Sequence, residues 1–137
     1  MTELKEQILD LVVKNDWVSF AQLDRLPGFK DRTDNGLCMD HGEFQNVVLW
    51  SGVTKAGFNA LVELQREKEI HWEPGSAMSY MIDGISMKLP LVKRAKSYAT
   101  PHWLPVFFRP GPIPEKLLKP YLDRKAKNDA ADIEALM

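Results

Sequence analysis

The sequence predicts an α+β domain followed by an extended arm, and three observations point there. Apolar residues recur at helical spacing in residues 3–14, 19–26 and 54–68. The last of these segments runs directly into two apolar stretches around a Pro74–Gly75–Ser76 turn, the pattern of a β-hairpin. Seven of the nine prolines then fall between Pro90 and Pro120, which favours extended backbone because proline lacks an amide hydrogen and clashes inside a helix.

Each element has its own signal. In the first helix, Leu4, Ile8, Leu11 and Val12 share one stripe while Lys5, Glu6 and Asp10 face water. The second opens on Ser19 with Gln22 three places on, a capping box, and Pro27–Gly28 end it. Residues 27–50 are turn-rich and polar, then "FQNVVLW" has the β-branched and aromatic character of a buried strand. Thr54 is the expected N-cap of the third helix, whose inward face is assigned to Phe58, Leu61, Val62 and Leu64. Met78, Tyr80 and Ile82 alternate with Ser79, Met81 and Asp83, which predicts the hairpin's second strand. An extended piece is expected around Pro90, and "EKLLKPYLDRKAK" predicts a short helix from about Pro114.

Size and composition bound the function. A chain of 137 residues with 45% hydrophobic and 27% charged content can bury a sizeable core. The single cysteine, Cys38, offers no internal disulfide and fits a reducing cytoplasmic setting; no apolar run is long enough to span a membrane. Net charge is −1, but its distribution is uneven. Residues 1–43 hold nine acids against five bases, whereas residues 84–114 hold five bases and no acid.

The order helix, helix, strand-like stretch, helix, hairpin resembles the winged helix-turn-helix superfamily. The specific part is "LWSGVTKAGFNALVELQREKEIHWEPGSAMSYMIDG", residues 49–84, and the likeness covers residues 3–84. It departs from the superfamily in the long connection at residues 27–50. The resemblance implies a winged-helix domain over 1–89, with residues 90–137 as a proline- and aromatic-rich arm and C-terminal helix. It also implies a transcriptional regulator or accessory factor, dimeric, that binds double-stranded DNA and lays its third helix in the major groove.

On that helix Lys55 suits a phosphate, Asn59 an adenine edge, and Arg66 lies on the same outward side. After Lys68 the hairpin up to Gly84 is acidic, with Glu69, Glu73 and Asp83 and only His71 as a potential cation. DNA-holding charge must then come from Lys88, Lys93, Arg94 and Lys96 in the basic belt. Those cations either flank the third helix or pair with the acidic front half. Likewise Trp103, Phe107 and Phe108 either complete the domain's own core or anchor a second copy or protein partner through residues 98–114. The alternative function is a protein-interaction module built on the acidic wing and aromatic arm. Cys38, Asp40, His41 and Glu43 are too few for a structural zinc site, and no catalytic or phosphate-cradling motif is present. No enzyme activity, metal or cofactor is expected.

Overall fold

The computed structural model describes residues 3–33, 35–94 and 96–115. The C-terminal helix expected beyond Pro114 falls almost wholly on residues 116–137, outside that range. The chain is mixed α+β: α1 (Leu4–Asn15), β1 (Val18–Ser19), α2 (Phe20–Leu23), β2 (Leu37–Asp40), β3 (Val47–Val53), α3 (Lys55–Arg66), β4 (Ile70–Pro74), α4 (Ala77–Ile82), β5 (His102–Trp103) and β6 (Val106–Pro110).

The helix starts follow their sequence signals. Ser19 accepts from the Gln22 amide while the Gln22 side chain accepts from the Ser19 amide, so both arms of the capping box are formed. Thr54 caps α3 by accepting from the Gly57 amide at 3.0 Å. α1 ends by turning through Asp16 and Trp17, both at positive φ, which directs the chain into β1.

The strands form two three-stranded sheets, ordered β1-β6-β4 and β2-β3-β5. The first is antiparallel throughout, with Val18 opposite Phe108 and Trp72 opposite Phe108 on the other side. In the second, β2 pairs antiparallel with β3, and β5 runs parallel to β3. One apolar cluster joins them, from Ile8 and Val12 of α1 through Phe20, Leu61 and Leu64 to Trp103 and Phe108.

Three expectations need correction. Residues 77–82 are a helix, not the hairpin's second strand. Ser76 caps it by accepting from the Met78 amide, and only Tyr80 is fully inside, so a six-residue segment with apolar positions at both period two and period three to four followed its cap. The partner of β4 is instead β6, which lies in the proline-rich arm. The arm from residue 102 to 110 therefore belongs to both sheets, and the chain on either side of residues 89/90 shares them. Finally, the inward face of α3 is Gly57, Ala60, Leu61 and Leu64, with Phe58 and Val62 only half-buried. Gly57 sits against the Phe29 ring, where a Cβ would stand 2.9 Å from the nearest ring carbon; that close approach turns the helix relative to the expected face.

Candidate nucleic-acid interface and edge groove

With Gly57, Ala60, Leu61 and Leu64 inward, the opposite stripe of α3 is Lys55, Asn59, Val62 and Arg66, four residues at i, i+4, i+7 and i+11. Lys55, Asn59 and Arg66 are all exposed. Two acids on the flank of that face are already engaged: Lys5 of α1 lies 3.3 Å from Glu63 and 2.7 Å from Glu67. Such exposed pairs add little stability, but they lower the negative charge beside the stripe.

The start of α3 is held by the chain that precedes β2. Thr54 donates its amide to the Phe29 carbonyl at 2.9 Å and its hydroxyl to the Gly28 carbonyl at 2.6 Å. Lys30 bridges Val53, and the Asp31 amide donates to the Gly52 carbonyl. This pairing sets the exposed Lys30 opposite Val53, just before α3, and Lys30 and the exposed Arg32 join Arg25 around a hollow of about 440 Å³. Neither Lys30 nor Arg32 stands out in the sequence. Their only signal is a bridge of two residues across a long, polar connection.

The belt is a folded loop. The Tyr98 hydroxyl accepts from the Lys93 and Arg94 amides, both at 3.1 Å, and donates to the Arg94 carbonyl. Those donors hold the Tyr98 hydroxyl below the usual tyrosine pKa. The Tyr98 ring stacks on His102 with centroids 3.9 Å apart, and Lys96 Nζ lies 5.0 Å from the centre of the same ring. Gln45 and Asn46, in the β2–β3 turn, bond to Ser97 and Tyr98 and fasten the loop down. Lys88, Lys93, Arg94 and Lys96 are all exposed, and none forms an ion pair among the described residues. Among the described residues, no carboxylate of the first forty positions ties them down. Lys93 and Arg94 line one groove together with Gln65, near the C-terminal end of α3, and Lys68 just beyond it; Lys88 and Lys96 lie outside it.

That groove, of about 1210 Å³, runs between the β2–β3 turn, the end of α3, β4 and the belt. His41 and Phe44 line it with rings 4.9 Å apart, and the His41 ring meets Trp72 edge-on at 5.4 Å. On the other face of β4, His71 bonds the Gly111 carbonyl and Glu73, and Arg109 reaches both Glu73 and Asp16. Burial acts to raise the Glu73 pKa, but His71 and Arg109 outweigh it and hold the carboxyl below the usual range. The one acid of the expected wing that lies in β4 is thus internally balanced.

Trp103, Phe107 and Phe108, the expected partner anchors, are exposed by only 1, 2 and 0%. They fill this chain's own core and present nothing to a partner. Cys38 donates to Asp40 at 3.4 Å, and burial together with that carboxylate pushes its thiol up to about 11, far from an activated nucleophile. Among the described residues no helix is long and apolar enough to cross a membrane. Comparison with protein-family models, with curated proteins and with solved structures found no match.

Proposed function

We propose that the chain is a winged-helix protein that binds double-stranded DNA, in the regulator or accessory-factor class. The observation that carries this reading is the order of the first sheet. Helix, short strand, two helices, then two strands with the sheet ordered β1-β6-β4 matches the winged-helix arrangement, given two insertions. One insertion holds β2 and β3 between α2 and α3; the other holds α4 and β5 between β4 and β6.

On this reading the wing is the connection between β4 and β6, residues 75–105, and not the stretch at 70–84. It contains Lys88, Lys93, Arg94 and Lys96 against the single acid Asp83, so the wing is basic and the electrostatic objection to it disappears. The twelve residues of α3 span roughly 18 Å at 1.5 Å per residue. Cations stand at each end of that span: Lys30 and Lys55 at the start, Arg66 and Lys68 at the finish, with Lys93 and Arg94 lining the same groove as Lys68. A major groove about 12 Å wide would sit between them, with its flanking phosphates near the two clusters and Asn59 facing base edges.

The test is fluorescence anisotropy of a labelled duplex across a salt series. Binding should weaken linearly in log salt, and the Lys93→Ala/Arg94→Ala/Lys96→Ala variant should flatten that slope by up to about three, roughly one for each phosphate no longer neutralised. Absence of binding at low salt, or an unchanged slope in the variant, would end this reading.

A further inference from the structure

We propose that the groove of about 1210 Å³ is a binding site for a small aromatic acid, its rings laid against Phe44 and Trp72 and its carboxylate taken by Lys68, Lys93 and Arg94. Apolar surface, unbalanced charge and one strained backbone position coincide there.

The apolar surface is aromatic. His41, Phe44 and Trp72 line the groove, with the His41 ring 4.9 Å from Phe44 and 5.4 Å from Trp72. All three are only half-buried. Val92, Leu104 and Ile113 add aliphatic surface from the belt and the arm. Ring-to-ring contacts gain more than buried area alone, and a rigid ring system loses less freedom on binding than a flexible chain. A mostly apolar concavity with a few polar groups is the usual setting for a small molecule, and this one has room for fused rings.

The charge is positive. Lys68, Lys93 and Arg94 line the groove, and none forms an ion pair among the described residues. Of the two acids that line it, Glu73 is already engaged by His71 and Arg109, which leaves Glu43 against three cations. The belt pair is fixed at its backbone, because the Tyr98 hydroxyl accepts from the amides of both Lys93 and Arg94. Less ordering is then needed when a ligand arrives. An anion complements this lining.

The strained position is Lys68 itself. Beyond α3 the Glu69 amide donates to the Leu64 carbonyl at 2.9 Å and the Lys68 amide to the Gln65 carbonyl at 3.1 Å, the bonding of a Schellman helix end. Lys68 accordingly has a φ of 61°, a left-handed conformation that glycine adopts freely and a residue with a Cβ does not. A lysine stands where glycine would relieve the backbone, and that lysine lines the groove. Strain of this kind gathers at ligand sites, where the side chain is needed for what it binds.

The probe is naphthoate, titrated into the full chain by isothermal titration calorimetry. It should saturate a single site. The matching naphthalenemethanol, with the same rings and no charge, should bind at least about ten-fold more weakly, because its hydrogen bonds are no longer charge-assisted. Decanoate, an anion without rings, should bind at least about three-fold more weakly. Lys68→Gly removes a cation where the backbone favours the change. Naphthoate affinity should fall by about five-fold while the urea midpoint holds or rises. Lys93→Ala/Arg94→Ala should weaken naphthoate by at least about ten-fold, with circular dichroism confirming an unchanged fold. No saturable binding, equal affinity for the alcohol, equal or tighter binding of decanoate, or unchanged affinity in Lys68→Gly overturns the proposal. Tighter binding of adenosine monophosphate than of naphthoate overturns it in favour of a nucleotide. Duplex binding enters none of these outcomes, so this site and the DNA reading fail separately.

Discussion

The β5–β6 segment and α4 are both rich in large apolar side chains, and they end in opposite places. Trp103, Phe107 and Phe108 are exposed by 2% or less, while Met78, Met81 and Ile82 are exposed by 67, 64 and 80%. The difference lies in packing. β6 is the middle strand of its sheet, so both of its edges are paired, and rings from other segments cover its two faces. Phe108 meets Phe20 edge-on at 5.2 Å on one side, and Phe107 stacks on Trp17 at 4.9 Å on the other. Gly75 passes so close to Phe107 that an added Cβ would stand 2.2 Å from the ring. α4, by contrast, is a turn and a half held by one inward residue, Tyr80. What packs against each side chain decided burial here; hydrophobicity did not.

The largest expected effect breaks the buried side of this contrast. Phe108→Ala removes a ring with no exposure from a close-packed cluster, and should cost about 3–5 kcal/mol of unfolding free energy. Urea denaturation followed by tryptophan fluorescence measures it. A cost below about 1 kcal/mol would mean the arm is not part of the core.

Tyr80 is the tie between the two regions, and its loss ranks next. Its hydroxyl accepts from the Phe20 amide at 3.0 Å and donates to the Val106 carbonyl at 2.6 Å, while burial raises its pKa. Tyr80→Phe keeps the ring but strands two buried backbone groups, so about 2–3 kcal/mol should be lost. The same denaturation experiment reports it, and the loss should exceed that of any exposed-face change in α4.

Asp24 gives a smaller and pH-dependent effect. Burial is the main cause that pushes its pKa up to about 6, against a hydrogen bond from Trp50 Nε1 and the charge of Lys30. Its Oδ1 is buried without a partner. Because the folded pKa stands above the unfolded one, the favourable contribution is complete below about pH 4 and is lost as pH rises through about 6. Asp24→Asn keeps an acceptor for Trp50 and cannot ionise. It should flatten the stability profile between those values and gain on the order of 1 kcal/mol at neutral pH. Denaturation midpoints of both proteins from pH 4 to 8 test this, and parallel profiles would refute it.

Local features were readable in the chain, and long-range ones were not. Ser19–Gln22 and Thr54 announce their helices because a cap is satisfied within three residues. The pairing of β4 with β6 joins distant residues, as in His71 with Arg109, 38 positions apart, and nothing near Ile70 encodes it. The basic belt was legible as composition. Its preorganisation around Tyr98 and its place between β4 and β6 depend on contacts with Gln45 and Asn46 that only the fold creates. Lys30 and Arg32 escaped for the same reason. The short helix at Ala77–Ile82 misled because Met78, Tyr80 and Ile82 fit a two-residue period as well as Met78, Met81 and Ile82 fit a helical one.

The smallest effect completes the comparison from its exposed side. Ile82 carries as much apolar surface as a core residue but keeps 80% of its exposure, so little transfer free energy is gained on folding. Ile82→Ser and Met81→Ser should each change stability by no more than about 0.5 kcal/mol, within the range of ordinary surface substitutions. Helix propensity argues for the same size, because isoleucine and serine rank close together in a helix interior. If either variant instead costs about 2 kcal/mol in urea denaturation, that side chain is inside the folded protein in solution. α4 would then be packed more like β6 than like a surface turn, and its single buried residue, Tyr80, would no longer account for how it is held.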